Sequence, residues 1–372
     1  MVKLVLFGGA FDPVHVEHQS LYDAVVKELS FDELIIIPSY NPPHKTGGRM
    51  TDFEDRVNML RIAFPDAVIS DYEYRSGKKN YTYETLKRFK TSDNEIYYVI
   101  GGDSMADFMT WYKPLEIIGL ATLVVCHRTG RESDAKEVID MLREQHVARI
   151  IELTYEGKDV SSTLVRYSVA LNENISDKVP EGVERYICEH HLYEDFRPLV
   201  DKVKSIESEK TFNHSKNVAL TALKLNAKLK LDNDKVFLAA LLHDVAKYDK
   251  GIYAVPEDSL DTPVEHQFAG SEKVKTLGIT DEDVINAIRY HTTGKPEMTT
   301  LEKLIYLSDM ISYERDFDGV DELRRIVDSD FEEGFKACLK HNYDYLIETK
   351  AEEDIYPLTV KAYNYYIKEK SN

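Results

Sequence analysis

The first half of the chain alternates short apolar runs with stretches whose apolar positions recur at helical spacing. A short continuous apolar run fits one buried strand, whereas apolar positions at i, i+3 and i+4 fit one face of a helix. The runs cover residues 2–7, 34–37, 67–70, 96–100, 122–126 and 149–153, and the helical patterns cover 20–29, 53–63, 83–89 and 135–143. Strands that alternate with helices predict an α/β domain with a parallel sheet covered on both faces.

The pattern changes after residues 194–197, a short segment that we interpret as a linker. Strand-like runs stop there, and helical periodicity takes over. The predicted helices cover residues 213–229, 234–246, 282–290, 301–311 and 331–347. The sequence therefore predicts two domains, an α/β domain over residues 1–195 and an all-α domain over residues 196–372.

The loop after the first strand, residues 8–18, has the sequence GGAFDPVHVEH. Gly8 and Gly9 let the backbone turn sharply and let a ligand approach it, and the helix that follows offers free N–H groups to an anion. His15 and His18 are three residues apart, so both can project from one face of the first helical turn. The loop is neither a P-loop nor a dinucleotide fingerprint. The alternative is a glycine turn with two surface histidines, but the combination favours phosphate binding.

Two further polar clusters follow later strands, at the sheet edge where parallel sheets bind ligands. Residues 41–45 are Asn-Pro-Pro-His-Lys, so a loop stiffened by proline presents His44 and Lys45. Residues 101–104 are Gly-Gly-Asp-Ser, and the only tryptophan, Trp111, comes soon after. A proline-rich surface loop and core packing of Trp111 are the plain alternatives.

A third cluster, Val-Ser-Ser-Thr-Leu-Val-Arg over residues 160–166, follows the sixth apolar run. It puts the hydroxyls of Ser162 and Thr163 at a helix start, where a simple N-cap would also explain them. Arg166 adds a forked donor suited to phosphate.

The helical half carries the pair His243-Asp244 directly after an apolar helical run. Four more residues of types that bind metals lie along this half: His214, His266, His291 and Asp309. His214, His291 and Asp309 lie on or at the end of separate predicted helices. A metal between packed helices needs ligands that converge from several of them. Imidazole with carboxylate, without thiolate, suits iron, manganese or zinc. Scattered surface histidines are the alternative, and the set as a whole favours a metal site.

Composition limits the partners that we expect. The net charge of −19 repels nucleic acid and anionic membranes, so small nucleotides are the expected ligands. Three widely spaced cysteines fit a reducing compartment, and the chain starts directly with a strand pattern, so we expect a cytoplasmic protein. The sequence leaves the oligomeric state open and is compatible with a homo-oligomer.

Taken together, the pieces of the first half resemble nicotinate mononucleotide adenylyltransferases of the HxGH nucleotidyltransferase superfamily. The matching pieces are GGAFDPVHVEH, NPPHK, residues 55–60 and 81–82, GGDS, Trp111, Arg128 and SSTLVR. The resemblance implies a Rossmann-like fold in which the mononucleotide phosphate attacks the α-phosphorus of ATP, with Mg²⁺ on the leaving pyrophosphate. It implies catalytic roles for His15 and His18, which would contact ATP together with Gly8, Gly9, Phe11, Ser162, Thr163 and Arg166. It places the pyridine nucleotide near His44, Lys45, Thr82, Asp103, Trp111 and Arg128.

One residue departs from that family. Glu17 stands where the family usually has glycine. A carboxylate facing the triphosphate would weaken ATP binding, whereas a carboxylate in solvent at a helix start would only complement the helix dipole. We expect the solvent-facing arrangement.

The second half resembles the HD phosphohydrolase superfamily, in particular its branch of symmetrical dinucleoside tetraphosphate hydrolases. The matching pieces are LLHDVAK, His291-Thr292-Thr293-Gly294, Tyr306-Leu307-Ser308-Asp309, Arg315 and Pro357-Leu358-Thr359. The resemblance implies a metal, iron or manganese, on His214, His243, Asp244 and Asp309, with Asp244 also catalytic. It implies nucleotide phosphates near Lys247, His266, His291, Thr292 and Arg315. His266 and His291 could instead complete a second metal site.

The sequence therefore predicts a bifunctional enzyme. One domain would form nicotinic acid adenine dinucleotide and pyrophosphate, and the other would cleave diadenosine tetraphosphate to two ADP. Two alternatives stay open: an HD domain that senses a nucleotide and regulates the transferase without turnover, and a transferase disabled by Glu17.

Overall fold

The computed structural model describes residues 1–40, 50–78 and 80–368. Two compact units divide the chain, Met1–Glu194 and Asp195–Asn372. In the first unit six strands alternate with helices. The strands are β1 (Val2–Gly9), β2 (Glu33–Pro38), β3 (Val68–Ile69), β4 (Asn94–Gly101), β5 (Ala121–Arg128) and β6 (Ile150–Tyr155). The helices are α1 (Val16–Glu28), α2 (Phe53–Ala63), α3 (Tyr72–Ser76), α4 (Thr82–Phe89), α5 (Gly102–Ala106), α6 (Pro114–Leu120), α7 (Lys136–His146), α8 (Ser162–Ala170) and α9 (Val183–Glu189).

The strands form one sheet in the order β3-β2-β1-β4-β5-β6, with every neighbouring pair parallel. Both faces are covered, because alternate side chains of β1 enter different cores: Val5 and Phe7 one, Leu4 and Leu6 the other. This is the predicted α/β architecture. The order reverses beside β1, so the loop after β1 lies at the switch point where such sheets bind ligands.

The second unit is helical throughout its described residues. Its helices are α10 (Arg197–Ile206), α11 (Glu209–Leu229), α12 (Asn233–Leu242), α13 (Glu265–Thr276), α14 (Glu282–Arg289), α15 (Thr300–Ile311), α16 (Val320–Ser329), α17 (Phe331–Thr349) and α18 (Pro357–Tyr363), followed by a π-helical turn, Asn364–Lys368. Helix α13 escaped prediction because buried polar residues, Gln267, Ser271 and Lys273, interrupt its apolar pattern.

The predicted helix over residues 234–246 ends early, at Leu242. Beyond it the backbone tightens into turns in which Val245 N–H donates to Leu242 and Lys247 N–H donates to Asp244. The His243 ring bonds through Nδ1 to the Ala240 carbonyl at 2.7 Å. The prediction was wrong at this end, because the His-Asp pair lies in a turn rather than in continuous helix.

Candidate active sites

The two histidines of the β1–α1 loop form a stacked pair. Their ring centroids are 3.7 Å apart, and the His15 N–H donates to His18 Nδ1 at 3.1 Å. Nδ1 of His18 is thus an acceptor, so a neutral His18 ring carries its proton on Nε2 as a donor. Burial and the charge of Arg128 lower the pKa of His15 to about 3. His15 is therefore neutral at physiological pH.

Packing beneath the loop fixes the His18 ring. The Phe11 ring packs 4.8 Å from that of His18 and 5.3 Å from that of Phe7, and only 1% of Phe11 is exposed. The glycines make room for this arrangement. A Cβ on Gly9 would lie 2.9 Å from the Phe11 ring, and one on Gly8 would lie 2.9 Å from the Tyr98 hydroxyl. Phe11 supports His18 through its ring, so any contact of Phe11 with ATP would have to use its backbone.

The loop is also anchored by polar groups distant in sequence. The Arg56 guanidinium, 1% exposed, donates to the carbonyls of Ala10 (2.7 Å), Ser39 (2.8 Å) and Thr51 (3.0 Å). It joins the end of β1 to the end of β2. No role was predicted for Arg56, although it lies within the matching residues 55–60, because its partners Ala10 and Ser39 are distant in the sequence.

The turn predicted to hold ATP docks onto the same loop. Ser162 Oγ donates to the Pro13 carbonyl at 2.9 Å, and Arg166 Nη1 donates to the Asp12 carbonyl at 2.7 Å. Arg166 Nη2 lies 3.4 Å from the Thr163 hydroxyl. Ser161 caps α8 by accepting from the Leu164 N–H. Residues 161–166 and the loop that carries His15 and His18 (residues 8–18, the histidine loop) therefore form one continuous surface.

Near the end of the first unit, the chain returns to this loop. The Tyr193 hydroxyl donates to Asp12 Oδ1 at 3.0 Å, and burial raises the Tyr193 pKa well above its usual value. Tyr186 donates to Asp55 on α2 at 2.9 Å. These contacts hold the segment after α8 against α2 and against the loop that carries the two histidines.

A cavity of about 210 Å³ opens beside Gly8 and Gly9. Its other lining residues are Ile37, Ser39, Glu73, Asn80, Tyr81, Thr82, Thr85, Tyr98, Ser104, Trp111 and Tyr112. Thr82 and Trp111 were predicted here, and Trp111 is half-buried against the rings of Phe108 and Tyr98. The cavity is lined by Ser104 rather than by its neighbour Asp103, whose side chain is exposed. The predicted residues His44 and Lys45 lie outside the described residues.

Glu73 is a buried acid on this cavity that the sequence analysis missed. Its carboxylate accepts from the Thr85 hydroxyl at 2.9 Å and from the Tyr40 N–H at 3.3 Å. Burial raises its pKa. Tyr40 and Thr85 are 33 and 12 residues away from Glu73 in the sequence, so no local pattern would have identified it.

Glu17 corrects one sequence-based expectation. The carboxylate is 4% exposed rather than in solvent, and it accepts from the Tyr155 hydroxyl at 3.0 Å. The same oxygen lies 3.4 Å from Nε of Arg128, whose Nη1 donates to Asp159 at 2.9 Å. Burial raises the Glu17 pKa. Arg128, predicted to contact the mononucleotide, is thus paired with two carboxylates and does not line the cavity.

In the second unit the predicted ligands converge around Asp244. Asp244 Oδ2 lies 3.6 Å from His243 Nε2 and 4.0 Å from His214 Nε2, and its Oδ1 lies 3.4 Å from His266 Nε2 and 3.6 Å from His291 Nε2. Asp309 Oδ1 lies 2.8 Å from His214 Nε2 and 3.9 Å from His243 Nε2. Two groups meet the spacing that one metal ion needs: His214 with His243 and Asp309, and His243 with Asp244 and His291.

Three of these histidines share one orientation. Nδ1 of His243, His266 and His291 lies 2.7–2.8 Å from the backbone carbonyls of Ala240, Pro263 and Ile288, respectively. A backbone carbonyl only accepts, so each Nδ1 carries the proton and each Nε2 offers a lone pair to the centre. Burial lowers the pKa of both His243 and His266 to about 4, which keeps these rings neutral as metal ligation requires.

Two buried atoms of this cluster indicate that it can bind a cation. Nε2 of His243 and Oδ1 of Asp244 are buried and have no hydrogen-bond partner among the described residues. Buried polar atoms are rarely left unpaired. Burial alone would raise the pKa values of Asp244 and Asp309. Their pairing with the histidines outweighs burial and lowers both pKa values, so both carboxylates stay ionised. Lone pairs and charges of this kind, facing one point, fit a divalent metal.

Further contacts fix the orientation of groups in this centre. His214 bonds through Nδ1 to Glu314 at 2.6 Å, and the carboxylates around the ring raise the pKa of His214 to about 9. Such a carboxylate fixes the orientation of a ligating imidazole. Gln267, fully buried, accepts from the backbone N–H groups of Thr292 and Thr293 at 3.1 Å. Glu314 and Gln267 were not predicted.

The cations predicted to contact phosphate lie at the rim. Lys247 Nζ is 2.5 Å from Asp244 Oδ2, and Arg315 Nη2 is 2.5 Å from Asp309 Oδ1. The Thr292 hydroxyl lies 3.2 Å from His266 Nε2. Every residue that the resemblance implied for this centre is therefore found within one contiguous cluster. Among the described residues, no helix is long and apolar enough to cross a membrane.

Comparisons with known proteins cover both units of the chain. The cytidylyltransferase-like family model matches residues 6–168, and the HD domain model matches residues 211–314. A protein of Mycoplasma genitalium described as a probable nicotinate-nucleotide adenylyltransferase/Ap4A hydrolase is 26% identical over 359 residues, which cover 91% of this chain and 97% of that relative. A probable nicotinate-nucleotide adenylyltransferase of Clostridium acetobutylicum is 34% identical over 52% of this chain and 100% of its own length.

Two solved structures resemble one half of the chain each. A predicted HD superfamily hydrolase involved in NAD metabolism, from Clostridium acetobutylicum, is 33% identical over 47% of this chain and 98% of its own, with a TM-score of 0.44. Plasmodium falciparum nicotinic acid mononucleotide adenylyltransferase complexed with NaAD is 18% identical over 52% of this chain and 98% of its own, with a TM-score of 0.46. From the matching models and relatives together, the chain is an enzyme of the nicotinate-nucleotide adenylyltransferase family whose cytidylyltransferase-like domain is followed by an HD domain.

Proposed function

We propose that the first unit transfers the adenylyl group of ATP to nicotinate mononucleotide, giving nicotinic acid adenine dinucleotide and pyrophosphate. The stacked pair of His15 and His18, which follows Gly8 and Gly9 of the cavity lining on the same loop, is the observation that carries the proposal. ATP would lie along the histidine loop and the Ser162–Arg166 turn, and the mononucleotide would occupy the cavity against Trp111.

The chemistry follows from these placements. An oxygen of the mononucleotide phosphate forms a new bond to the α-phosphorus of ATP, and the bond from that phosphorus to the bridging oxygen breaks, so pyrophosphate leaves with the electron pair. The attacking phosphate is already nucleophilic, and no side-chain base is needed. His18, with its proton on Nε2, would donate to the phosphates, while neutral His15 holds the His18 ring. Mg²⁺ bound with ATP would neutralise charge on the leaving group.

For the second unit, we propose metal-dependent hydrolysis of a dinucleoside polyphosphate, with diadenosine tetraphosphate giving two ADP. The convergence of His214, His243 and Asp309, with Asp244 Oδ2 3.6 Å from His243 and 4.0 Å from His214, supports it, since imidazole and carboxylate groups of this kind can hold iron or manganese. When bound, the metal would supply the Lewis acidity that activates water. Water adds its oxygen to one phosphorus of the central phosphoanhydride, the bridging P–O bond breaks, and the two products share the protons of water.

We further propose that His266 and His291 complete a second metal position with Asp244, rather than contact phosphate. Lone pairs from both rings converge within 3.2 Å, beside Oδ1 of the same aspartate. A phosphate oxygen has no proton to share with two such acceptors, whereas a cation would satisfy them. Lys247 and Arg315 remain the phosphate donors, because both carry charge at the rim of the cluster.

One pair of assays tests both activities on the full chain. With ATP, Mg²⁺ and nicotinate mononucleotide, chromatography should show equal amounts of the dinucleotide and pyrophosphate. With iron or manganese and diadenosine tetraphosphate, ADP should be the product. His18→Ala should suppress only the first reaction and Asp244→Ala only the second. Products of AMP and ATP would indicate an asymmetric hydrolase, and bound metal without turnover of any nucleotide would favour a regulatory sensor.

A further inference from the structure

The helix that carries the two histidines also carries a buried acid that the proposed reaction does not use. We propose that Glu17 is a positioning residue of the transferase, which fixes the Arg128 guanidinium beside the histidine pair so that it can attract the phosphate of the mononucleotide. Gly157 provides the space that this arrangement needs. The inference rests on the proposed transferase function.

The Glu17 side chain is almost completely buried. A carboxylate that is 4% exposed is stable only with partners. It has two, the Tyr155 hydroxyl at 3.0 Å, from the end of β6, and Arg128 Nε at 3.4 Å, from the end of β5. Glu17 therefore connects the first turn of α1 to two neighbouring strand ends.

Gly157 supplies the second, independent observation. A Cβ built on this glycine would lie 2.6 and 2.7 Å from the two carboxylate oxygens of Glu17 and 2.7 Å from the ring of Tyr155, the residue that donates to Glu17, and real Cβ atoms essentially never approach that closely. Its backbone is not in the left-handed region. Glycine at this position therefore makes room for the hydrogen-bonded pair of Glu17 and Tyr155, and does not serve to form a turn.

Arg128 is the cation that pairs with Glu17. Arg128 Nε lies 3.4 Å from Glu17, which directly precedes His18 in the first turn of α1, so the guanidinium lies close to the start of the helix where both histidines are found. Its positive charge adds to burial in lowering the pKa of His15. Asp159, whose side chain is 45% exposed, accepts a hydrogen bond from Nη1 at 2.9 Å. The two carboxylates thus hold different atoms of the guanidinium, and Glu17 holds Nε by charge from the buried side.

Function follows from charge and position. A cation held at the strand ends, where the α-phosphate of ATP and the incoming phosphate must meet, attracts an anionic nucleophile without contacting the adenosine. Displacing the guanidinium should weaken mononucleotide binding by about tenfold or more, because small misplacements of positioning groups have large effects. The affinity for ATP should change far less.

The experiment uses the full chain with Glu17→Gly, Gly157→Ala and the double variant. Gly119→Ala is the control, because a Cβ there would contact no atom within 4 Å. Mononucleotide affinity is measured by quenching of Trp111, the only tryptophan, which lines the cavity, and steady-state assays give KM for each substrate and kcat. Both single variants should raise the mononucleotide Kd and KM, with ATP KM close to that of the control, and thermal unfolding shows that each variant is folded at the assay temperature.

The double variant provides the decisive comparison. If Gly157→Ala acts by displacing the Glu17 carboxylate together with its partner Tyr155, it should add little to Glu17→Gly. Additive effects, or single variants with unchanged mononucleotide Kd, would overturn the inference. Binding of both substrates by the native chain without dinucleotide formation would refute the proposed transferase function alone, and absence of mononucleotide binding by the native chain would refute both.

Discussion

Nε2 of His266 lies 3.2 Å from Nε2 of His291, and each ring has its Nδ1 proton bonded to a backbone carbonyl. Two lone pairs at that distance repel each other unless a metal ion or a second proton on one of the rings lies between them. The arrangement therefore gives a measurable expectation for the metal content of the second unit.

His291→Ala should reduce the metal content from about two ions per chain to about one, since it removes a ligand from only one of the two positions. Elemental analysis of the purified full chain after loading with iron or manganese measures this ratio. His341→Ala is the control, because this ring packs on Phe317 away from the cluster. Unchanged metal content in His291→Ala would mean that a single ion occupies the centre.

Asp244→Ala should abolish both metal retention and hydrolysis, since Asp244 lies within 4.0 Å of all four histidines of the cluster. Transferase activity of the same preparation should persist. Asp328→Ala, which breaks an exposed pair with Lys228, is the matched control and should change neither activity. Hydrolysis that survives in metal-free Asp244→Ala would contradict a metal-dependent mechanism.

His18→Ala should lower the kcat of adenylyl transfer on the order of a hundredfold or more, the usual effect of losing one donor to developing charge. KM for ATP should change less, because the donor strengthens mainly in the transition state. The control is His190→Ala, whose ring stacks on Tyr186 at the surface of the same unit. A variant with full kcat would show that His18 supports only the loop.

The stability of the first unit should fall with acid through His15. Its folded pKa of about 3 lies below the value of 6.5 for a free histidine, so the unfolded chain takes up the proton first. This contribution to stability is complete above about pH 6.5 and is lost progressively as the pH falls toward 3. Trp111 fluorescence reports unfolding of this unit, and His15→Gln should show a smaller decrease in Tm between pH 7 and pH 5. An equal decrease in both proteins would argue against a neutral, buried His15.

The sequence predicted what local patterns can encode. Alternating periodicity predicted the α/β and all-α halves, and the His-Asp pair with its separated histidines predicted a centre that the structure brings together around Asp244. Residues that act through distant partners escaped prediction. Arg56 bonds to carbonyls on two strand ends, and Glu73 bonds to Thr85 and Tyr40, contacts that exist only after the sheet has formed.

Glu17 shows that a local pattern can also predict the wrong environment for a residue. A charged residue in the first turn of a helix is expected to face solvent and complement the dipole. The structure buries it instead, because Tyr155 and Arg128 come from strands that pair beside it and Gly157 leaves space for the carboxylate. Neither the partners nor the space can be inferred from the helix alone.

The hydrogen bond from Tyr193 to Asp12 bears on how this enzyme can be divided. The cytidylyltransferase-like match ends at residue 168, yet Tyr193 closes onto the loop that begins the domain. A fragment cut at the end of that match would leave Asp12, almost completely buried here, without its phenol partner and expose it to water. Dissection of the two activities should therefore cut the chain after Glu194, so that the tyrosine stays with the histidines that it helps to hold.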